Sequence, residues 1–133
     1  MIRIMAAGKG IISKASAHSV EETIDRLVGV LGEKGIHVFA RIDQKAEAEK
    51  VGLKMPAMEL LIFGNPKGGT PLMVAEPTVG IDLPLKAMAW EDREGKVWLS
   101  YNAPEYLQER FGIGAELIGN ISVIGGLVEM ALR

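Results

Sequence analysis

The stretch Ser19-Val20-Glu21-Glu22-Thr23-Ile24-Asp25-Arg26-Leu27-Val28-Gly29-Val30-Leu31-Gly32-Glu33-Lys34-Gly35-Ile36-His37-Val38-Phe39-Ala40-Arg41-Ile42 sets a helix directly before a strand. Its first half repeats with the helical period: Val20, Ile24, Leu27, Val28 and Leu31 fall on one face. Ser19 and Glu22 have the form of a capping box, in which the serine oxygen and the glutamate carboxylate satisfy amides left over at a helix start. Gly35 stops the helix. From Ile36 the period drops to two, with Ile36, Val38, Ala40 and Ile42 on one side and His37, Phe39 and Arg41 on the other.

The same reading predicts strands over residues 11–17, 58–63, 85–91 and 96–101. The last two form a hairpin across Asp92-Arg93-Glu94-Gly95, where glycine suits a left-handed turn position. Asp43 caps a short helix over residues 45–51, closed by Gly52, and Thr70-Pro71 announces another, with threonine as cap and proline at the first position. That helix ends at Pro77 and Gly80. Asn102 caps a helix running to Phe111. Residues 121–132 form an amphipathic helix that holds Gly125 and Gly126, each costing about 1 kcal/mol relative to alanine, so packing must support it. Helices and about five strands define an α+β fold. The expectation is a single domain over residues 1–133, with 113–133 as a C-terminal helical extension.

Composition narrows the function classes. The 133 residues are 48% hydrophobic and 24% charged, with a net charge of −2, as in ordinary globular domains. Lysine and arginine are scattered and matched by acids, so no nucleic-acid partner is expected. Cysteine is absent, which removes disulfides, thiolate metal sites and cysteine nucleophiles. The apolar start at residues 1–8 is too short for a secretory signal, and the apolar region 117–132 is interrupted by Asn120, Ser122 and Glu129. The expectation is a soluble, cytoplasmic chain with no membrane partner.

Four segments carry a family resemblance: Phe39-Ala40-Arg41-Ile42-Asp43, Glu59-Leu60-Leu61-Ile62-Phe63-Gly64-Asn65-Pro66-Lys67-Gly68-Gly69-Thr70-Pro71-Leu72-Met73, Asp82-Leu83-Pro84-Leu85-Lys86 and Val97-Trp98-Leu99-Ser100-Tyr101-Asn102. In this order, over about residues 11–112, the chain resembles the domain-of-unknown-function 302 family. The resemblance implies a two-layer fold, helices packed on a largely antiparallel sheet, and a homodimer. It implies no established activity. Many members carry histidine after the Ile-Asp pair, where this chain has Gln44; any ligand or proton-carrier role of that histidine would be missing here.

Among candidate sites, Gly64-Asn65-Pro66-Lys67-Gly68-Gly69-Thr70 joins a strand to a helix start, where backbone amides attract anions and glycines permit close approach. Asn65, Lys67, Gly68, Gly69 and Thr70 are therefore ligand-binding candidates. The segment is not a P-loop, because Gly69 stands where lysine must precede the hydroxyl residue. A tight turn asks for the same residue types. Asp82 and Glu59 sit among apolar residues and, with Arg41 and Lys86, complete the candidate set; pairing of the acids with Arg41 or Lys86 is the plainer role. His18 and His37, the only histidines, lack neighbours at ligand spacing, so no metal is expected. No Gly-x-Ser-x-Gly occurs. Met55, Met58 and Met73 read as fillers of core gaps.

In the hairpin, Trp90 should face Trp98, Met88 should face Ser100 and Lys86 should face Asn102. One sheet face is expected to be aliphatic (Ile36, Val38, Ala87, Ala89, Leu99) and fit for helices. The other is expected to carry His37, Phe39, Arg41, Glu59, Leu61 and Phe63 with the two tryptophans, making Trp90, Trp98, Phe39 and Phe63 interface candidates. A second layer formed by the C-terminal helix is the alternative use of that face. The favoured reading is an uncharacterised homodimeric binding or sensory domain with no cofactor. The alternative is a small enzyme acting on an anionic metabolite near residues 64–70, assisted by Lys86 or Asp82. A purely structural partner of another protein is a third.

Overall fold

The computed structural model describes residues 8–133. Five strands, β1 (Ile11–Ser16), β2 (His37–Asp43), β3 (Met58–Gly64), β4 (Leu85–Glu91) and β5 (Val97–Asn102), form one sheet in the order β1-β5-β4-β3-β2. Every neighbouring pair is antiparallel. Six helices accompany it: α1 (Val20–Glu33), α2 (Gln44–Lys50), α3 (Pro66–Ala75), α4 (Pro104–Phe111), α5 (Ala115–Ile118) and α6 (Ile124–Leu132). The chain is thus α+β, as its pattern of periods requires. The N-terminal segment read above for a secretory signal lies, but for Gly8, outside the described residues.

Helix α1 begins where Ser19 accepts a hydrogen bond from the Glu22 amide at 3.1 Å, and Gly35 follows its end at φ +67°. It lies across β2, β3, β4 and β5 and buries Val20, Ile24, Leu27 and Leu31. Helix α6 packs beside it and buries Ile124, Leu127, Val128 and Ala131. Ile113 and Ile121 join the same core, so residues 113–133 supply part of the covering layer. That layer lies on the face α1 already covers; the C-terminal helix does not close the other face.

The faces sort differently from the sequence reading, for two reasons. Residues directly opposite in an antiparallel pair share a face. Glu59 pairs with Ala89, Leu61 with Ala87 and Phe63 with Leu85, so all three lie under the helices, with Leu99. Leu61 and Phe63 are fully buried, and Phe63 is a core residue rather than an interface residue. The second reason is a β-bulge. Val38 pairs with Phe63 and Ala40 with Ile62, leaving Phe39 as the extra residue. The bulge shifts the phase, so Val38 and Arg41 lie on the helix side while Ala40 and Ile42 lie on the open side.

Two helix starts also differ. Helix α3 begins at Pro66 with Asn65 as cap, so Thr70 and Pro71 are inside it. Both Asn65-Pro66 and Thr70-Pro71 have the cap-proline form, and the first one starts the helix. Helix α4 starts at Pro104 after Ala103, without a side-chain cap, and Asn102 closes β5. The hairpin forms as expected, with Trp90 opposite Trp98 and Met88 opposite Ser100. Gly95 in its turn has φ +81°.

Candidate functional site

The 64–70 segment borders a cavity of about 150 Å³ at one end of the sheet. Phe63, Leu83, Ile121 and Leu127 supply buried apolar wall, and Phe39, Met73 and Val123, which are exposed, form its rim. The bulge accounts for Phe39: an unpaired extra residue is turned out of the ladder, here toward the mouth of the cavity. A sealed void of this size costs about 3–4 kcal/mol, but this one opens to solvent between the rim side chains and bears less of that penalty. Met73 is therefore no core filler, and Met58 is only half-buried, on the open side of β3.

The amides of Lys67, Gly68 and Gly69 are already committed. Pro66 has none, Lys67 N–H donates to Asn65 Oδ1 at 3.0 Å, and Gly68 and Gly69 N–H both donate to the Asn65 carbonyl at 2.9 and 3.0 Å. An incoming anion finds no free backbone donor among these three, and Lys67 is not in the cavity wall. The glycines have separate explanations. A Cβ on Gly68 would meet the Asn120 carbonyl at 3.1 Å, and Asn120 Nδ2 donates back to Gly68 O at 3.2 Å, so glycine lets the 119–121 segment approach. A Cβ on Gly69 would meet nothing closer than Leu83 and Met73 at 3.9 Å. Its φ is not positive, so nothing local demands glycine there, and a helical glycine costs about 1 kcal/mol relative to alanine.

The ionisable candidates do not converge on the cavity. Arg41 clamps β2 to its neighbours: Nε donates to Glu59 at 2.7 Å, Nη1 to Asp25 at 2.7 Å and Nη2 to the Glu21 carbonyl at 3.2 Å. Burial alone lowers the pKa of Arg41, but hydrogen bonds to Glu59 and Asp25 outweigh it and hold the guanidinium above its ordinary value. Glu59 thus has the pairing expected of it. Asp82 pairs instead with Arg110 at 2.8 Å, tying the 3₁₀ turn Pro77–Ile81 to α4. Lys86 donates to the Pro84 carbonyl at 3.2 Å. Among the described residues, no group of three or more His, Asp or Glu stands where it could hold a metal ion.

The other candidate surface is the uncovered sheet face. Ala40, Ile42, Leu60, Ile62, Met88 and Trp90 lie on it half-buried, outside the core and outside the residues packed against it. A depression of about 350 Å³ on this face runs between Leu60, Lys86, Met88 and Trp90. Several of its polar atoms are paired within the chain. Trp90 Nε1 donates to Ser100 Oγ at 2.8 Å, which shares a 2.6 Å hydrogen bond with Ser13 Oγ. Trp98 stacks on Trp90 with ring centres 6.5 Å apart and donates to Asp92 at 3.0 Å. That hydrogen bond, with amide donation from Lys96 and Glu94, holds the Asp92 carboxyl below the ordinary carboxylate range. Trp98 is only 1% exposed in the single chain, so it has no surface left to bury against a partner. Leu60 and Ile62 were missed as face residues because β3 is apolar on both sides, whereas Met88 lies on this face as its place opposite Ser100 requires.

A one-sided antiparallel sheet, five strands covered by helices on one face, is the class the geometry defines. The chain belongs to the family described as "Domain of unknown function DUF302", whose model matches residues 12–123. The structure of an uncharacterized conserved DUF302 protein from Bacillus stearothermophilus shares the fold, with a TM-score of 0.77 over 94% of this chain and 97% of that one at 20% identity. Over 105 residues the chain is also 48% identical to "Fluoride-specific ion channel FluC 1" of Brucella suis biovar 1. It is equally similar to the protein of that name from Brucella abortus biovar 1. The match covers 79% of this chain but 41% and 39% of those proteins, so the chain spans about two-fifths of the curated relatives it matches. Among the described residues no helix is long and apolar enough to cross a membrane.

Proposed function

We propose that this chain is a non-catalytic binding module that acts as a homodimer, with the uncovered sheet face as the contact between copies. The observation that carries this reading is the apolar character of that face, on which the Trp90 indole, Ser13, Ser100 and Lys86 are already paired within the chain. Contiguous apolar surface is costly to leave wet, whereas polar groups already paired within one chain add no desolvation penalty when a partner arrives. Lys86 is the one charged side chain in its depression, and its ammonium is already held by the Pro84 carbonyl. Trp90 supplies the large half-exposed aromatic surface that such contacts favour. Light scattering at about 10 μM tests the proposal; a dimer mass is expected, and a monomer at that concentration contradicts it.

A second reading, compatible with the first, follows from the relatives. The matched two-fifths of the Brucella proteins corresponds to a region that, among the described residues of this chain, has no helix long and apolar enough to span a membrane. The conducting part of those channels would then lie in their remaining length, and this module would serve as an accessory domain to a fluoride-specific channel. Co-purification of the chain with such a channel expressed separately is the expected result. Absence of any complex in detergent would leave the module without that role.

A further inference from the structure

We infer that the cavity beside α3 is a binding site for one small, neutral, largely apolar molecule carrying a hydroxyl group. This site lies at the end of the sheet, apart from the proposed dimer face, and stands independently of it. Its volume of about 150 Å³ is that of a site which accepts a benzene ring, so the ligand has roughly six to ten non-hydrogen atoms. Three observations mark it as a site rather than a packing fault. Gly69 leaves space in the wall that a side chain would fill, although its backbone conformation is open to any residue. The bulge in β2 sends Phe39 to the mouth, exposed by 49%, where an aromatic ring has no reason to stand in water. Met73 and Val123 complete an apolar rim, and methionine adapts its shape to what it touches.

The polar lining fixes the class of ligand. Asn65, Thr70 and Asn120, all exposed, are the polar side chains among the lining residues and stand at the solvent edge of the cavity. Asn65 uses its side-chain oxygen on Lys67 N–H, and Asn120 uses its side-chain nitrogen on Gly68 O. That leaves the Asn65 amide hydrogens as donors, the Asn120 oxygen as an acceptor and the Thr70 hydroxyl as either. A hydroxyl both donates and accepts, and so matches this set. The wall contains no lysine, arginine or histidine, so a carboxylate or phosphate would enter without a counter-charge.

The probe is 4-methylphenol, compared with toluene and with 4-methylbenzoate, followed by amide NMR of the unmodified chain. Saturable shifts at Gly69, Thr70 and Asn120 are expected, with a midpoint of about 0.01–1 mM, about tenfold weaker for toluene. Gly69→Leu, which fills the cavity from a helical position, should abolish these shifts while the protein melts no lower than wild type. Should that variant fail to fold, Phe39→Ala, which only opens the rim, should weaken binding about tenfold. No saturable shift, shifts centred on Met88 and Trp90, undiminished binding to the folded variants, or a benzoate that binds as well as the phenol would each overturn the proposal.

Discussion

The two faces of the sheet are built from the same strands yet meet opposite fates. On β3, Glu59, Leu61 and Phe63 lie beneath α1 and its neighbours, whereas Met58, Leu60 and Ile62 face away from them. The covered side includes a charge, Glu59, and tolerates it because Arg41 reaches it at 2.7 Å. The other side is nearly free of charge although its residues lie outside the packed core. Composition therefore does not report which face is covered; the burial of a paired carboxylate and the exposure of unpaired aliphatics run against the usual rule. An apolar face with no cover in its own chain is a surface in search of a partner.

The largest effect expected from that contrast comes from Leu61→Lys. An unpaired ammonium under α1 should cost about 5 kcal/mol or more, enough to unfold a domain of ordinary stability, as circular dichroism would record. A cooperative native melt for this variant would mean that the covered face yields far more readily than its packing indicates. Next in size is Arg41→Leu, which strands Glu59 beneath the helices. Because Arg41 is itself partly exposed, a loss of about 1–3 kcal/mol is expected in urea unfolding. Gly69→Ala sharpens the picture at the cavity end of the sheet: with room for the methyl group and helical backbone, it should gain about 0.5–1 kcal/mol. A loss instead would show that the glycine serves the backbone.

The smallest expected effect is local and depends on pH. The Asp92 carboxyl titrates below its ordinary value, chiefly because the Trp98 indole donates to it. A depressed folded pKa contributes stability that is complete above the unfolded carboxylate range and is lost as pH falls through the lowered value. The Trp98 Nε1–H resonance should therefore hold through mildly acidic pH and shift only below the ordinary carboxylate range. A shift centred near neutrality would remove Asp92 as its partner.

Much of this fold was legible in the residues. Helix α1, with its cap and its Gly35 stop, and the hairpin register that sets Trp90 against Trp98 follow from local chemistry alone. The facing of β3 was not legible, because a strand apolar on both sides has no amphipathic phase to read. The bulge at Phe39 was equally silent: one unpaired residue changes the phase of β2 without altering its alternating pattern. Of the residues singled out in the 64–70 segment, Asn65, Gly69 and Thr70 line the cavity, whereas Lys67 and Gly68 do not. The apolar character of the cavity was hidden, since Phe39, Leu83 and Ile121 come from segments far apart in the chain and meet only in the fold.

Leu60 and Leu61 are adjacent residues on opposite faces, and Leu60→Lys tests the reading of the open face most directly. Sedimentation equilibrium of this variant beside the wild type at about 10 μM should give a folded monomer against a dimer, with similar melting of the isolated chains. A wild-type monomer, or a variant that remains dimeric, would contradict the assignment of the uncovered face as the contact between copies.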